Sequence, residues 1–185
     1  MPDPTDNELM LRVKDGDVSK LGILFERHHG KLYGFLTRLT DRRDVSEDLL
    51  QEVFLRILKY RHTFRGDAPF TAWMYQLGRN VTADHFRKSR ATSPLLEAED
   101  RPSEEGNSPS DILEHVERKS LLHLALGKLP ADKREVLVLS RFQGLKYEEI
   151  GQILQCPVGT VKARVHFALK ELRDIYLSLS EEAVL

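Results

Sequence analysis

A proline- and serine-rich acidic segment at residues 91–111 divides this chain of 185 residues into two parts of different composition. The segment contains three prolines, four serines and a run of carboxylates, with almost no large apolar residues. Such a composition cannot bury enough apolar surface to offset the entropy lost on ordering. We therefore expect two units joined by a flexible acidic linker. The alternative is one long surface loop in a single domain, although unstructured loops beyond about 15 residues are uncommon there.

The charge distribution follows the same division. Residues 1–90 carry 16 Lys and Arg against 13 Asp and Glu, and residues 118–185 carry 11 against 8, so each part has a net charge of +3. Residues 91–117 carry 1 basic against 8 acidic residues, a net charge of −7. The near-neutral total of −1 therefore conceals two basic units, as a nucleic-acid partner requires.

Apolar residues on both sides of the linker repeat at helical spacing. Neither side shows the strict alternation that is typical of β-hairpins, and the pair Asp15-Gly16 falls at the end of the first predicted helix. Thr5 and Glu8 have the spacing of a capping box at the start of the first helix. The predicted fold class is all-α, with two small helical domains at residues 1–90 and 118–177, a linker at residues 91–117 and a tail at residues 178–185. The inward face of the second helix is predicted at Leu21, Leu24, Phe25, Leu32, Phe35 and Leu39.

Several classes of protein are excluded by what the sequence lacks. Its single cysteine, Cys156, cannot form an internal disulfide or a cysteine-based zinc site, and its position in a predicted turn favours a packing role over a redox role. The histidines show no HExxH spacing, and no phosphate-binding G-x-x-x-x-G-K-[ST] loop is present. We expect no enzyme activity, no metal and no cofactor. The polar start MPDPTDNEL and the lack of a long apolar run predict a cytoplasmic protein.

The third predicted helix, from about residue 44 to residue 60, carries a mixed polar and apolar outer face. Val45, Leu49, Val53 and Ile57 are expected to point inward, whereas the outer face consists of Asp48, Gln51, Glu52 and Leu55. An ordinary solvated helix surface explains this pattern as well as a binding surface does.

The fourth predicted helix follows the turn at residues 64–70 and has two distinct faces. Its core face is predicted at Phe70, Trp73, Leu77 and Val81. The opposite side carries a stripe of aromatic, cationic and hydroxyl side chains, namely Tyr75, Arg79, Thr82 and Phe86. Aromatic rings stack on unpaired bases and arginine neutralises phosphate, so the stripe predicts contact with single-stranded nucleic acid. Alternatively, the two aromatic side chains cover part of a partner helix.

The last two predicted helices have the spacing of a helix-turn-helix. A short helix at residues 147–154 is followed by a tight turn containing Pro157, and a final helix runs from Gly159 to about residue 176. Its outer side carries Thr160, Lys162, Ala163, Arg164, His166 and Phe167. Such a surface suits the major groove, where Arg164 can read guanine or bind phosphate. A plain αα-hairpin in a helical bundle is the alternative.

Three stretches together resemble the extracytoplasmic-function sigma factors of the bacterial sigma-70 family. They are DVSEDLLQEVFLRI, FRGDAPFTAWMYQLGRNVTADHFRK and LPADKREVLVLSRFQGLKYEEIGQILQCPVGTVKARVHFALKELR, in the family's order and separated by a variable linker. The last stretch alone also resembles the output domains of response regulators. The stretches before it favour the sigma factors.

The resemblance implies a role for each surface. The third helix would bind the clamp helices of the largest subunit of core RNA polymerase through Asp48, Gln51, Glu52 and Leu55. The turn at residues 64–70 and the fourth helix would recognise the minus 10 element and hold its melted strand, and the helix-turn-helix would read the minus 35 element. The positions implied for minus 10 binding are Arg65, Asp67, Trp73, Tyr75, Arg79, Asn80, Thr82 and Phe86.

The resemblance also implies partners and a competing interpretation. An anti-sigma factor, which is membrane-bound for many members, would restrain the protein and hold it at the inner membrane, and no small-molecule substrate is implied. The alternative function is a stand-alone helix-turn-helix regulator whose N-terminal bundle binds another protein. Phe167 and Ala163 stand where family recognition helices often carry Arg and Ser. The preferred promoter sequence is therefore not transferable.

Overall fold

The computed structural model describes residues 3–92 and 111–182, which form eight α-helices and no strand. A 3-10 turn at Arg61–Thr63 and a π-helical turn at Val138–Phe142 complete the regular structure of these residues. The all-α prediction is confirmed. The helices are α1 (Asp6–Lys14), α2 (Lys20–Thr40), α3 (Arg43–Tyr60), α4 (Phe70–Thr92), α5 (Asp111–Lys128), α6 (Ala131–Leu137), α7 (Tyr147–Leu154) and α8 (Val158–Glu182).

Local sequence signals mark the start of α1 and the end of α2. Glu8 N donates to the Thr5 hydroxyl at 3.3 Å and Thr5 N donates to the Glu8 carboxylate at 2.7 Å, so the predicted capping box is present at α1. These bonds from Thr5 hold the pKa of Glu8 below its usual range. Helix α2 ends where Asp41 adopts a left-handed φ of 58°, which aspartate tolerates better than most residues.

Helices α1 to α4 form the N-terminal unit around one apolar core. Trp73 and Leu77 are only partly buried at its edge, and Phe25 remains half-exposed while its ring contacts Phe54 edge to face at 4.9 Å. The other residues at the predicted inward positions are buried or packed against the core. The buried ones are Leu24, Leu32, Phe35, Val45, Leu49, Val53, Ile57, Phe70 and Val81.

Helices α5 to α8 form the C-terminal unit, in which α7 and α8 make the predicted helix-turn-helix. Helix α7 ends at Gln155, which has a left-handed φ of 53°. A Cβ on Gly151 would lie 2.9 Å from the Cys156 carbonyl oxygen, so only glycine permits the turn to approach α7 this closely. The inward residues are buried as predicted, namely Ile150, Ile153, Val161, Val165 and Ala168.

Two helix ends differ from the sequence prediction. Helix α5 begins at Asp111, so residues 111–117 are helical although they were predicted as the end of the flexible linker. Apolar residues recur at helical spacing there, and the surrounding acidic composition masks that signal. Helix α8 continues to Glu182, past the predicted start of the tail at residue 178, because Leu179 extends the apolar face begun by Leu172 and Ile175. Residues 93–110, most of the predicted linker, lie outside the described residues.

The two units pack against each other. Helix α4 contacts α7, and α2 contacts α5, α6 and the π-helical turn. This packing was not predicted from the sequence, because the two units were expected to be independent. The packing determines which of the predicted binding surfaces are accessible. Across residues 3–92 and 111–182, the helices are too short or too polar to cross a lipid bilayer.

Candidate nucleic-acid and polymerase interfaces

The predicted outer face of α3 lies on the molecular surface. Asp48 and Gln51 are exposed, and Leu55 is 61% exposed, the most of any large apolar side chain in the described residues. Glu52 is partly buried, and its carboxylate accepts a hydrogen bond from Arg56 Nε at 2.7 Å. The same guanidinium pairs with Asp84 of α4 at 2.9 Å. Glu52 is therefore tied into the helix pair, whereas the other three side chains face solvent.

The loop between α3 and α4 is anchored at both ends by aromatic side chains. Phe64 and Phe70 are buried, and the Trp73 ring lies 5.4 Å from Phe64 and 6.4 Å from Phe70. Between these anchors, the side chains of Arg65 and Asp67 are exposed. The loop therefore presents a cation and a carboxylate on a rigid aromatic base, in agreement with the surface position predicted for both.

Side chains of α1 hold the backbone of this loop. Asn7 Nδ2 donates to the carbonyl oxygens of Gly66 and Ala68 at 3.3 and 3.0 Å, and Asn7 Oδ1 accepts from Phe70 N at 2.7 Å. Lys14 Nζ donates to the Phe64 carbonyl oxygen at 2.7 Å. The sequence prediction did not include these two α1 residues, since polar residues on a helix surface carry no signal of a partner more than 40 positions away.

Tyr75 is buried and is not part of an exposed stripe. It is 2% exposed, and its ring packs edge to face on Phe35 of α2 at 5.0 Å. Its hydroxyl donates to Gln143 Oε1 of the C-terminal unit at 2.9 Å, and burial raises the pKa of the phenol. The exposure predicted for Tyr75 is therefore wrong in this arrangement, where the residue covers a partner helix as the alternative has it, and its contact with nucleic acid stays a prediction.

Thr82 is also buried, and its hydroxyl donates to the Gly78 carbonyl oxygen one turn earlier at 2.9 Å. The exposure predicted for Thr82 is therefore wrong, as it is for Tyr75. Helix α4 is covered on more than one side, by the N-terminal bundle and by α7. A single helical wheel assumes one buried face, which fails for a helix between two layers.

Arg79 of the predicted stripe bridges the two units. Its Nε donates to Glu135 Oε1 of α6 at 2.5 Å, and a terminal nitrogen donates to the Ile153 carbonyl oxygen of α7 at 3.1 Å. Burial raises the pKa of Glu135, and the charge and hydrogen bond of Arg79 oppose that rise. The arginine therefore compensates a desolvated carboxylate rather than facing solvent with its full charge.

Two members of the predicted minus 10 set remain accessible on α4. Asn80 is exposed, and Phe86 is 41% exposed near the end of the helix. Arg65 and Asp67 of the preceding loop are exposed as well, and Trp73 and Arg79 are partly exposed. The predicted set is thus divided between residues that solvent reaches and the buried residues Tyr75 and Thr82.

Further contacts join the two units, and none had a local sequence signal. Gln76 Nε2 donates to the Gln152 carbonyl oxygen at 2.7 Å, and the Arg38 guanidinium lies 4.6 Å from the centre of the Phe142 ring. His123 pairs with Asp41, where α2 ends. These partners are separated by 76 to 104 positions in the chain, so only the tertiary structure brings them together.

The outer side of α8 is open to solvent. Phe167 is 60% exposed, Arg164 is exposed beside it, and Thr160 is partly buried near the start of the helix. The remaining predicted residues, Lys162, Ala163 and His166, are all exposed. A shallow groove between α6 and α8 runs beside Arg164 and Phe167 and is bordered by the paired side chains of Lys133 and Glu171. The six positions thus form one continuous surface of the size of a recognition helix.

The described residues contain no group of three or more His, Cys, Asp or Glu side chains arranged to hold a metal ion. Cys156 is a free thiol, half-buried in the turn before α8. Its contact with the core fits the packing role expected from its position.

Known proteins resemble this chain over nearly its whole length. Residues 24–92 match the family described as Sigma-70 region 2, and residues 119–172 match Sigma-70, region 4. The RNA polymerase sigma-H factor of Pseudomonas aeruginosa is 32% identical, with 96% of this chain and 97% of the relative covered. The ECF RNA polymerase sigma-E factor of Escherichia coli K12 is 32% identical, with 92% and 93% covered.

A solved structure shows the same fold. It is the co-crystal structure of the sigma factor RpoE with the anti-sigma factor NepR from Bartonella quintana. The alignment has a TM-score of 0.70 and 25% sequence identity, and it covers 83% of this chain and 94% of that one.

Proposed function

Because the chain belongs to the extracytoplasmic-function sigma factors of the sigma-70 family, it is a transcription initiation factor and not an enzyme, and we propose that its two helical units divide promoter recognition between them. Residues 1–90 bind core RNA polymerase and the minus 10 element, and residues 118–177 bind the minus 35 element. The observation that carries this proposal is the order of the two family matches, the second of which ends in a helix with an exposed basic and aromatic outer side.

Core polymerase binds the outer face of α3 in this proposal. An exposed leucine beside acidic and amide side chains suits a protein partner, because the leucine gains from burial while the polar groups set orientation. Leu55, Asp48 and Gln51 supply these elements. The clamp helices of the largest polymerase subunit are the expected partner, and Glu52 contributes through its pair with Arg56.

The minus 35 element binds the outer side of α8 as duplex DNA. Arg164 either reads a guanine edge or neutralises phosphate, and Thr160 lies near the helix N-terminus, where backbone N–H groups favour phosphate. Phe167 offers an apolar surface to a thymine methyl group. Lys162 and His166 flank this contact, and Ala163 leaves room for close approach of the helix to the bases.

The minus 10 element binds the loop at residues 64–70 and α4 as a melted strand. We call the arrangement in which α4 packs on α7 and α2 packs on α5 and α6 the closed arrangement. Solvent reaches Arg65, Asp67, Trp73, Asn80 and Phe86 in it. Tyr75 and Thr82 are buried there, and Arg79 is partly exposed but is paired with Glu135 of the C-terminal unit. On this proposal the C-terminal unit moves away from α4 before Arg79 meets a phosphate.

An anti-sigma factor is the regulatory partner that we propose for this chain. The Bartonella quintana relative was crystallised with an anti-sigma factor. We propose that such an inhibitor also binds this chain in the cytoplasm, or at the inner membrane when the inhibitor is anchored there.

In vitro transcription with purified core polymerase tests the proposed function. The protein should copurify with core polymerase and allow initiation from a promoter that core polymerase alone does not use. Leu55→Arg should abolish copurification, while Leu177→Arg, a matched change of an exposed leucine on α8, should leave it intact. A protein that binds duplex DNA alone but neither binds core polymerase nor supports initiation would instead be a stand-alone helix-turn-helix regulator.

A further inference from the structure

We propose that Asn7 of α1 is a positioning residue for promoter recognition: it fixes the loop at residues 64–70 and so sets the base preference of that loop for the melted minus 10 strand. This inference rests on the proposed function of the loop. Asn7 lies outside residues 24–92, the range that matches Sigma-70 region 2. It acts through the loop backbone and does not itself contact DNA.

The loop has little internal structure to hold it in place. It runs from the 3-10 turn to the start of α4 without regular secondary structure. Its Gly66 has a φ of 78°, a conformation that non-glycine residues rarely adopt. Such a segment keeps one conformation only when its backbone groups find partners elsewhere.

Asn7 supplies three of those partners. Its amide nitrogen donates to the Gly66 and Ala68 carbonyl oxygens at 3.3 and 3.0 Å, and its amide oxygen accepts from Phe70 N at 2.7 Å. Of the common side chains of this size, only asparagine offers two donors and an acceptor on one planar group. An aspartate would retain the acceptor for Phe70 but would face two carbonyl oxygens without a donor.

The rest of α1 supports the same role. Lys14 Nζ donates to the Phe64 carbonyl oxygen at 2.7 Å, and a Cβ built on Gly66 would lie 3.5 Å from the Leu11 side chain. Asn7, Leu11 and Lys14 are spaced by four and three positions, so they share one face of the helix. That face contacts the loop along its whole length, from residue 64 to residue 70.

The backbone and the side chains of the loop therefore have different roles. Its backbone groups bond to α1, and the side chains of Arg65 and Asp67 remain exposed and available for a base or phosphate. A loop held in this way presents its side chains in one geometry. A loop released from Asn7 samples several geometries and discriminates less well between bases.

The experiment uses holoenzyme reconstituted from core polymerase and the full chain. It is presented with a promoter library whose minus 10 region is unpaired and randomised on the non-template strand, and the bound molecules are sequenced. Base preference among bound molecules does not depend on how much of the protein is folded. The readout therefore separates loop positioning from a loss of stability.

For Asn7→Asp and Asn7→Leu we expect the preference at the loop-contacted base to fall about fivefold, the equivalent of about one hydrogen bond, with the other positions unchanged. Glu8→Ala is the matched control, because it breaks the capping box of the same helix without removing a bond to the loop. It should lower the melting temperature and leave base preference unchanged.

Three results would overturn the inference. One is a wild-type preference profile in both Asn7 variants, and another is the same loss of preference in Glu8→Ala. The third is a wild-type holoenzyme with no base preference in the unpaired region. Only this third result would also contradict the proposed role of the loop in minus 10 recognition.

Discussion

The two surfaces proposed to bind DNA differ in how the fold treats them. On α8, the outer residues Lys162, Arg164 and Phe167 are exposed. On α4, most of the corresponding stripe is covered, with Tyr75 bonded to Gln143 and Arg79 paired with Glu135, and only Phe86 is exposed. The α8 surface is exposed, and we propose that the part of the α4 stripe covered by the C-terminal unit, Arg79 above all, becomes accessible when the two units separate.

The difference shows that a helical pattern of aromatic and basic residues has two possible uses. Such residues bind bases and phosphates, but they also make good contacts between domains, since they combine apolar area with hydrogen-bonding groups. The pattern itself does not distinguish these uses. In this chain α4 serves one use in the closed arrangement and is proposed to serve the other on the promoter.

Replacing Tyr75 should have the largest effect on stability. Tyr75→Ala removes a ring that packs on Phe35, and we expect it to lower the free energy of unfolding by about 3 kcal/mol. Phe86→Ala, on the same stripe but half-exposed, should cost less than about 1 kcal/mol. Urea unfolding of both variants tests the contrast. Equal small losses would mean that Tyr75 is as exposed as Phe86.

Arg164→Ala tests the open surface. We expect binding to minus 35 duplex to weaken by about 2 kcal/mol, or about 30-fold, with no change in stability. If Arg164 reads a guanine, the loss of affinity should be confined to sites that carry that base pair. If Arg164 neutralises a phosphate, the loss should be the same for all sequences, and the number of ions released on binding should fall by about one. Arg173→Ala, farther along α8, is the control. Binding should be measured as a function of salt by fluorescence anisotropy, and wild-type binding by Arg164→Ala would contradict the assignment.

Arg79→Gln should open the covered surface. The change leaves the Glu135 carboxylate desolvated without its cation, and we expect the closed arrangement to lose about 1.5 kcal/mol, or roughly tenfold in population. Energy transfer between labels at exposed positions 31 and 173, in a Cys156→Ser background, would report the separation of the units. Gln76→Ala, which removes a single bond to a backbone carbonyl, is a milder control.

The distance between the two units in the Arg79→Gln variant should also depend on pH. Burial raises the pKa of Glu135, and the loss of Arg79 removes the larger of the two cationic influences that oppose this rise, while Arg164 of α8 remains. A carboxyl with a raised pKa binds its proton more tightly in the buried state, so burial of the group is favoured as pH falls through that raised pKa toward the ordinary one. The variant should therefore close again as the pH is lowered through that range, and Arg79→Gln combined with Glu135→Gln should show no such recovery. A pH-independent distance in the single variant would contradict this explanation.

Phe167→Arg should have the smallest effect on stability. Phe167 is 60% exposed, so we expect a change within about 0.5 kcal/mol in the free energy of unfolding. The preferred minus 35 sequence should change instead, because arginine offers donors to guanine where phenylalanine offers only apolar contact. Selection from a randomised duplex library would show the change. An unaltered preference profile would remove Phe167 from the reading surface.

Much of the fold could be predicted from local sequence signals. The capping box of Thr5 and Glu8, the inward faces of α2 and α3 and the turn before α8 all depend on residues a few positions apart. The exposed faces of α3 and α8 follow from the same periodicity. The start of α5 at Asp111 was missed because a helical pattern lies within acidic composition.

The closed arrangement and the role of Asn7 could not be predicted in this way. Tyr75 and Gln143 are 68 positions apart, and Asn7 and Phe70 are 63 positions apart. A wheel drawn for α4 alone places Tyr75 opposite the core, but the helix lies between two layers and has more than one buried side. Contacts of this kind depend on how whole helices meet, which no local spacing encodes.

The distance between the two units is the most direct test of the proposed closed and open states. It should be measured by energy transfer between positions 31 and 173 in the free protein, in holoenzyme and in holoenzyme bound to promoter DNA. We expect the short distance of the closed arrangement in the free protein and a clearly longer distance on the promoter. An unchanged distance on a promoter whose minus 10 strand is bound would contradict the proposal that the C-terminal unit must leave α4.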